Sequence, residues 1–166
     1  MLHIYENISS IDFRQLMDVY AEGNQINGDE RYSGYPENLR ILYSEQDFYN
    51  YLVLFFEDSA SKYAVWTHEN RYVAALRLER YSDGLLLTAL ETEPAHRRQG
   101  FATALIGAVL CYLKSNGTGK LYSHVAKLNQ ASLTAHKNCG FDVVSNQATY
   151  LDGTIMNNSY TLLIEY

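Results

Sequence analysis

The stretch His96-Arg97-Arg98-Gln99-Gly100-Phe101-Ala102 is a cationic spot in an acidic chain, and its glycine sits where an apolar helical pattern begins. Upstream, Leu85 to Thr92 reads as a strand that Pro94 stops, because proline brings no ladder donor. Downstream, Leu105, Val109, Tyr112 and Leu113 recur at helical spacing. A strand end, a glycine loop and a helix start together present several unpaired N–H groups at the positive end of the helix dipole. Gly100 lets the backbone approach phosphate oxygens, the small Ala102 keeps the first turn open, and Arg97 and Arg98 add charge that a diphosphate can use. The chemistry on offer is the binding of a phosphate-bearing ligand. Neither of the two familiar phosphate loops, G-x-x-x-x-G-K-[ST] and G-x-G-x-x-G after the first strand, is present.

The elements that must position this loop follow from periodicity and turn residues. Leu2 to Tyr5 alternate as a short strand, and Ser9-Ser10 offer caps before Phe13, Leu16, Met17 and Tyr20 on one helix face. Gly23 to Pro36 is polar and punctuated by glycines, which predicts a loop leading into a second helix with Phe48, Tyr51, Leu52 and Phe55 inward. Lys62 to His68, Arg71 to Tyr81 and Leu85 to Thr92 are strand-like and separated by short turn sequences, an antiparallel meander. After the loop helix, closed at Asn116-Gly117, come a strand at Leu121 to Val125, a short helix at Asn129 to Cys139 capped by Gly140, and a strand at Phe141 to Ser145. A final hairpin would join Ala148-Thr149-Tyr150 to Tyr160 to Ile164. The order βααβββαβαββ gives an α/β (α+β) class with a mixed, mostly antiparallel central sheet.

Length and composition bound the rest. At 166 residues the chain, 1–166, reads as a single domain. Charged residues make up 19% and there are fifteen tyrosines, a folded, Tyr-rich composition. A net charge of −6 and a pI of about 5.3 argue against a nucleic-acid partner, which needs a basic stripe. Cys111 and Cys139 are too few for a disulfide framework, and His136-x-x-Cys139 lacks two further ligands for zinc, so no metal is expected. The N-terminus lacks a signal-peptide pattern and no apolar run reaches about eighteen residues, so the expectation is a cytoplasmic protein without a membrane partner, monomer or homodimer.

Leu90-x-Thr92-x-Pro94 followed by Arg97-x-x-Gly100-x-Ala102 resembles the acetyl-CoA signature of the GNAT N-acetyltransferase superfamily, [QR]-x-x-G-x-[GA]. The segment Asn129 to Phe141, with Asn129, Ser132 and Gly140-Phe141, is similar to the family's second signature. The match is strongest from Leu85 to Phe141 and architectural before that. It implies acetyl-CoA as co-substrate in a V-shaped opening between the splayed strands 85–92 and 121–125. The pyrophosphate would rest on the N–H groups of Gln99, Gly100, Phe101, Ala102 and Thr103, with Arg97 and Arg98 nearby. The pantetheine would pair with the backbone from Leu90 to Thr92, and the helix from Asn129 would flank the thiol end.

Direct transfer to an amine needs a base for the amine, donors for the oxyanion and a proton for the leaving thiolate. The resemblance supplies a backbone N–H near Thr92 for the oxyanion. It places His136 where similar enzymes have a tyrosine acid, a departure that makes the acid step depend on an imidazole. A helix-surface histidine without a role is the competing reading. Glu91 is the base candidate, beside Glu93 on a strand end where both also read as solvated carboxylates, and a water chain is the alternative. His124 either faces the opening or is a hydrogen-bonded core histidine. By the resemblance the acceptor pocket falls at about 23–36 and 147–159. Asp29, Glu30 and Tyr32 there suit a cationic amine of a small molecule or peptide, or are turn residues of a solvated loop. Two other functions stay open: a catalytically silent module that senses acyl-CoA, and an interaction domain in which the arginines make ion pairs.

Overall fold

The computed structural model describes residues 1–165. The chain runs β1 (Leu2–Tyr5), α1 (Phe13–Val19), α2 (Ala21–Arg31), α3 (Glu37–Phe55), β2 (Lys62–His68), β3 (Arg71–Tyr81), β4 (Gly84–Thr92), α4 (Phe101–Ser115), β5 (Lys120–Ala126), α5 (Gln130–Asn138), β6 (Asp142–Ser145), β7 (Ala148–Thr149), β8 (Ile155–Met156) and β9 (Ser159–Glu165), with single 3-10 turns at Ile8–Ser10 and Pro94–His96. Seven strands form one sheet in the order β1-β2-β3-β4-β5-β9-β6. Its pairs are antiparallel except β4 with β5, which are parallel because α4 carries the chain across between them. This is the mixed, mostly antiparallel sheet flanked by helices that the sequence predicts.

Alternation along the strands divides the interior in two. Leu76 and Leu78 of β3, Leu87 of β4 and Leu121 of β5 pack with Leu105, Ile106 and Val109 of α4 on one face. Tyr63 and Val65 of β2 and Ala75 of β3 pack with Leu16 and Met17 of α1 and Leu52 of α3 on the other. The β2–β3 turn is Glu69-Asn70 with φ of 49° and 62°, the left-handed pair that a two-residue hairpin requires.

Two expectations about the fold are corrected. The segment expected as a loop from Gly23 to Pro36 is mostly α2, an eleven-residue helix. Its Gly28 is there for packing: a Cβ would lie 2.8 Å from the carbonyl oxygen of Arg40, so the glycine lets α2 pack tightly on α3. Ion pairs from Arg40 to Asp29 (2.7 Å) and from Arg31 to Asp47 (2.9 Å) tie the two polar faces together. The final strand also has different partners. Ala148-Thr149 pairs with Ile155-Met156 in a two-stranded ribbon closed around Gly153, at φ 87°. β9 instead inserts between β5 and β6, where Leu162 completes the α4-side core.

Candidate active site

The site begins with a fault in β4. Arg77 pairs with Thr88 and Ala75 with Glu91, so Ala89 and Leu90 together oppose Leu76, a β-bulge. Ala89 takes φ 49°, uncommon for a residue with a side chain, and the Tyr20 hydroxyl of the α1–α2 junction donates to its carbonyl at 2.6 Å. Beyond the bulge β4 parts from β5. The two pair only at Leu85–Leu87 with Leu121–Ser123, and the Ser123 hydroxyl donates to Leu87 O (3.2 Å) at the base of the fork.

A cavity of about 170 Å³ occupies the fork, lined by Thr88, Ala89 and Leu90 from β4, His124 from β5, and Asn129, Ser132 and His136 from the start and body of α5. Asn129 caps α5, its side-chain oxygen accepting the Ser132 N–H at 3.0 Å. His136 is 1% exposed, so it is a cavity-lining group and not a helix-surface residue. Its Nδ1 lies 2.8 Å from the Ser132 carbonyl oxygen. A carbonyl only accepts, so Nδ1 carries the proton and Nε2 keeps its lone pair, with no partner among the described residues. Burial pushes the His136 pKa below the ordinary histidine value, against a smaller opposing effect of the Ser132 carbonyl.

At the outer end of the fork stands the loop. Gly100 has φ 84° and precedes α4, and a Cβ there would meet nothing within 4 Å. The first intrahelical bond runs from the Ala104 N–H to Gly100 O (2.9 Å), which leaves the N–H groups of Phe101, Ala102 and Thr103 free for an anion. Arg98 is also left-handed, at φ 62°, and exposed. The loop thus fits a diphosphate through its main chain. Arg97 is turned elsewhere: Nε donates to Thr92 O (3.2 Å), Nη1 pairs with Glu22 of α2 (2.7 Å) and Nη2 approaches Glu91 (3.8 Å). Gln99 reaches back to Ala95 O (3.3 Å). The Phe101 ring packs on His68 at 5.1 Å.

The remaining predicted residues are not gathered at the cavity. Glu91 is exposed beside Arg97, outside the cavity lining; Glu93 is spent on the His96 ring. Asp29 and Tyr32 lie on and just beyond α2, committed to Arg40 and to Asp47 (2.7 Å), and Glu30 faces solvent. The other expected acceptor segment does reach the site: the Tyr81 hydroxyl donates to Thr149 O (2.6 Å), and the Tyr150 ring meets His124 edge-on at 4.7 Å. Neither the bulge nor the cavity has a contiguous sequence signal.

The model of the acetyltransferase (GNAT) family matches residues 24–141, which includes the bulged strand, the Gly100 loop and α5. The chain belongs to the GNAT acetyltransferase family. No curated protein matches its sequence. Among solved structures, the PaiA N-acetyltransferase of Thermoplasma acidophilum in complex with coenzyme A superposes with a TM-score of 0.66 at 14% identity, covering 100% of this chain and 99% of the other. The ribosomal-protein-S18-alanine N-acetyltransferase of Escherichia coli gives 0.63 at 17% identity, covering 99% and 94%. An aminoglycoside 6'-acetyltransferase type Ii gives 0.65 at 14% identity, covering 99% and 96%. At these identities the superpositions speak for the GNAT fold, and the family model for membership.

Proposed function

We propose that the chain works as one N-acetyltransferase domain, moving the acetyl group of acetyl-CoA to a primary amine of a small molecule or peptide by direct attack, with both substrates bound together. The observation that carries this reading is the parting of β4 from β5 beside an α4 start whose first three N–H groups are free. Acetyl-CoA supplies the acyl group as a thioester whose thiol leaving group has a pKa of about 8.5. The N–H groups of Gln99 to Thr103 hold its pyrophosphate, and Arg98 adds charge from the exposed side of the loop. Leu90 to Thr92 present the backbone beyond the bulge to the pantetheine, and a backbone N–H near Thr92 steadies the oxygen that gains charge. Asn129 fixes the start of α5 at the thiol end.

In this reading His136 moves a proton within the cavity. Its Nε2 takes one from the acceptor nitrogen as that nitrogen bonds to carbon, and passes it to the departing sulfur, so that the imidazole ends neutral. A resting neutral His136 suits this relay, because its Nε2 keeps a lone pair with no partner among the described residues. Glu91 and Glu22 give the acceptor side a negative rim around Arg97, and Asp29, Glu30 and Tyr32, at the C-terminal end of α2 and just past it, are the residues a cationic amine would pass. Two of the neighbours are named for acceptors as different as an aminoglycoside and an alanine of a ribosomal protein, so the acceptor is kept at the class of primary amine.

The test is thiol release from acetyl-CoA with polyamines, aminoglycosides, amino acids and peptides, alongside thermal unfolding with CoA. CoA and acetyl-CoA should bind one per chain and raise the melting temperature, because the folded loop supplies donors the unfolded chain lacks. No binding at millimolar CoA overturns the reading. Binding without thiol release to any amine replaces it with the acyl-CoA sensor.

A further inference from the structure

Alternation along β4 breaks at the bulge, and a side chain from another element holds the break. Leu87 packs in the α4-side core, so in an unbroken strand Ala89 would follow it there and Leu90 would turn to the other face. The bulge reverses both: Ala89 packs against the α1-side core and Leu90 against the α4-side core. The backbone from Leu90 to Thr92 thus runs one residue out of step with the first half of its own strand. Ala89 reaches this arrangement at φ 49°, a conformation that is costly for a residue with a Cβ, and its carbonyl accepts the Tyr20 hydroxyl at 2.6 Å.

Tyr20 is placed to keep that bond. It ends α1 and starts α2, its N–H donating to Leu16 O (3.2 Å) and its carbonyl accepting the Asn24 N–H (2.9 Å), so its backbone belongs to both helices. The residue is 7% exposed, and its ring is packed by Phe48 of α3 at 5.1 Å and edge-on by Tyr63 of β2 at 6.4 Å. Burial pushes the Tyr20 phenol above its ordinary pKa, so the hydroxyl keeps the proton that it donates. The far end of the same β4 segment is tied to the same junction: Arg97 donates to Thr92 O (3.2 Å) and pairs with Glu22 (2.7 Å), two residues after Tyr20.

We propose that Tyr20 is a positioning residue for acetyl transfer: its hydroxyl holds Ala89 in the left-handed bulge and so sets the backbone from Leu90 to Thr92 against the thioester. This rests on the acetyltransferase reading above, in which that backbone takes the pantetheine and steadies the oxygen that gains charge. Tyr20 does not line the cavity and acts through Ala89, which does. A segment that shifts slightly leaves the pyrophosphate seat at α4 intact but meets the developing oxyanion less well. The signature is therefore a loss of kcat with CoA affinity kept.

The experiment is a double-mutant cycle of Tyr20→Phe and Ala89→Gly in the full chain, with Tyr5→Phe as control. It reads kcat with the best amine from the thiol-release panel, CoA affinity by calorimetry, and melting temperature. Tyr20→Phe should lower kcat about tenfold, the rate equivalent of one hydrogen bond, with CoA affinity within about twofold. Glycine takes the left-handed conformation without help, so the same loss of the hydroxyl should cost less than about threefold when Ala89→Gly is already present. Tyr5→Phe removes a hydroxyl that bonds Tyr72 (2.7 Å) beside the same core, and should lower the melting temperature without changing kcat. A Tyr20→Phe variant with wild-type kcat overturns the proposal. So does a loss of equal size with and without Ala89→Gly, or an equal loss in Tyr5→Phe, either of which makes the hydroxyl an ordinary core contact. Should Tyr20→Phe not fold, Ala89→Val leaves the hydroxyl in place and makes the left-handed conformation costlier. It should then lower kcat by more than about tenfold, and an unchanged kcat overturns the proposal. A wild type that binds acetyl-CoA but acetylates no amine removes the acetyltransferase reading itself, and this proposal with it.

Discussion

The loop at 97–103 and the cavity 87–136 lie on one fork of the sheet, yet they are built on opposite principles. The loop offers main chain: three free N–H groups, a left-handed glycine and open space beside it, with its one fully engaged side chain, Arg97, turned away toward Glu22 and Glu91. The cavity offers side chains: His124 of β5 and His136 of α5 both line it, and both nitrogens of the first and Nε2 of the second are buried without a partner among the described residues. A region that binds through its backbone tolerates side-chain change and is sensitive to conformation. A region proposed to act through a buried imidazole should respond in the reverse way.

The largest expected effect tests that contrast at the cavity. His136→Phe keeps an aromatic ring of similar reach in a nearly closed space and removes Nε2. It should lower kcat by about a hundredfold while CoA affinity stays within about twofold, a pattern of lost proton transfer and not of lost binding. His136→Tyr should restore part of the rate, since a phenol can donate the proton the sulfur needs. Stopped-assay rates with tight control of CoA saturation decide it; a Phe variant at wild-type speed leaves the proton to water or to Tyr150.

The loop should fail in the opposite sense. Gly100→Val puts a β-branched side chain at φ 84° and fills the open space, so CoA should bind at least about tenfold more weakly by calorimetry. Gly100→Asn separates the two causes, because asparagine accepts the left-handed conformation at little cost. If Asn binds like glycine, backbone conformation is what the loop needs. If it binds like valine, the ligand needs the space.

How much of this was legible in the sequence follows the same division. β2 and β3 carry their turns and alternation in consecutive residues, so their bounds are those that periodicity predicts, and the loop with its helix start is contiguous too. α2 was hidden because Gly28 reads as punctuation until Arg40 is seen against it, a contact twelve residues away. The bulge at Ala89 depends on a hydroxyl from Tyr20, and β9 reaches β5 only by leaving its sequence neighbour β7 to a separate ribbon. His124 could be placed on its strand but not assigned a partner, because what surrounds it comes from Tyr81 and Tyr150.

A smaller effect separates the regions by pH. His124 and His136 both have pKa values lowered by burial, so the unfolded chain binds more protons than the folded one below the ordinary histidine value near 6.5. Their burial therefore has no titration cost above that value, and stability falls as pH drops through it toward the folded pKa values. Melting temperature should decline between pH 7.5 and 5.5, and the decline should be shallower in a His124→Gln, His136→Phe double variant. The Gly100 variants, which alter no titrating group, should decline as wild type does.

The smallest expected effect lies where the loop meets α2. Glu22 on α2 pairs with Arg97 at 2.7 Å, and both side chains are about half exposed, so the pair itself contributes at most about 1 kcal/mol. Its position matters more than its strength, because it holds a guanidinium of the CoA loop toward the acceptor side. Glu22→Gln removes one negative charge near the pyrophosphate seat and loosens Arg97, which still keeps its bond to Thr92 O (3.2 Å). CoA should therefore bind about two- to threefold more tightly at low salt, and the gain should vanish near 0.5 M salt as screening shortens the reach of the charge. A gain that persists at high salt would mean that Arg97 has swung onto the phosphates, bringing a side chain into a loop otherwise read through its backbone. Weaker binding would show Arg97 to be a strut that keeps the Gly100 turn in place, and the contrast between loop and cavity would then be one of degree.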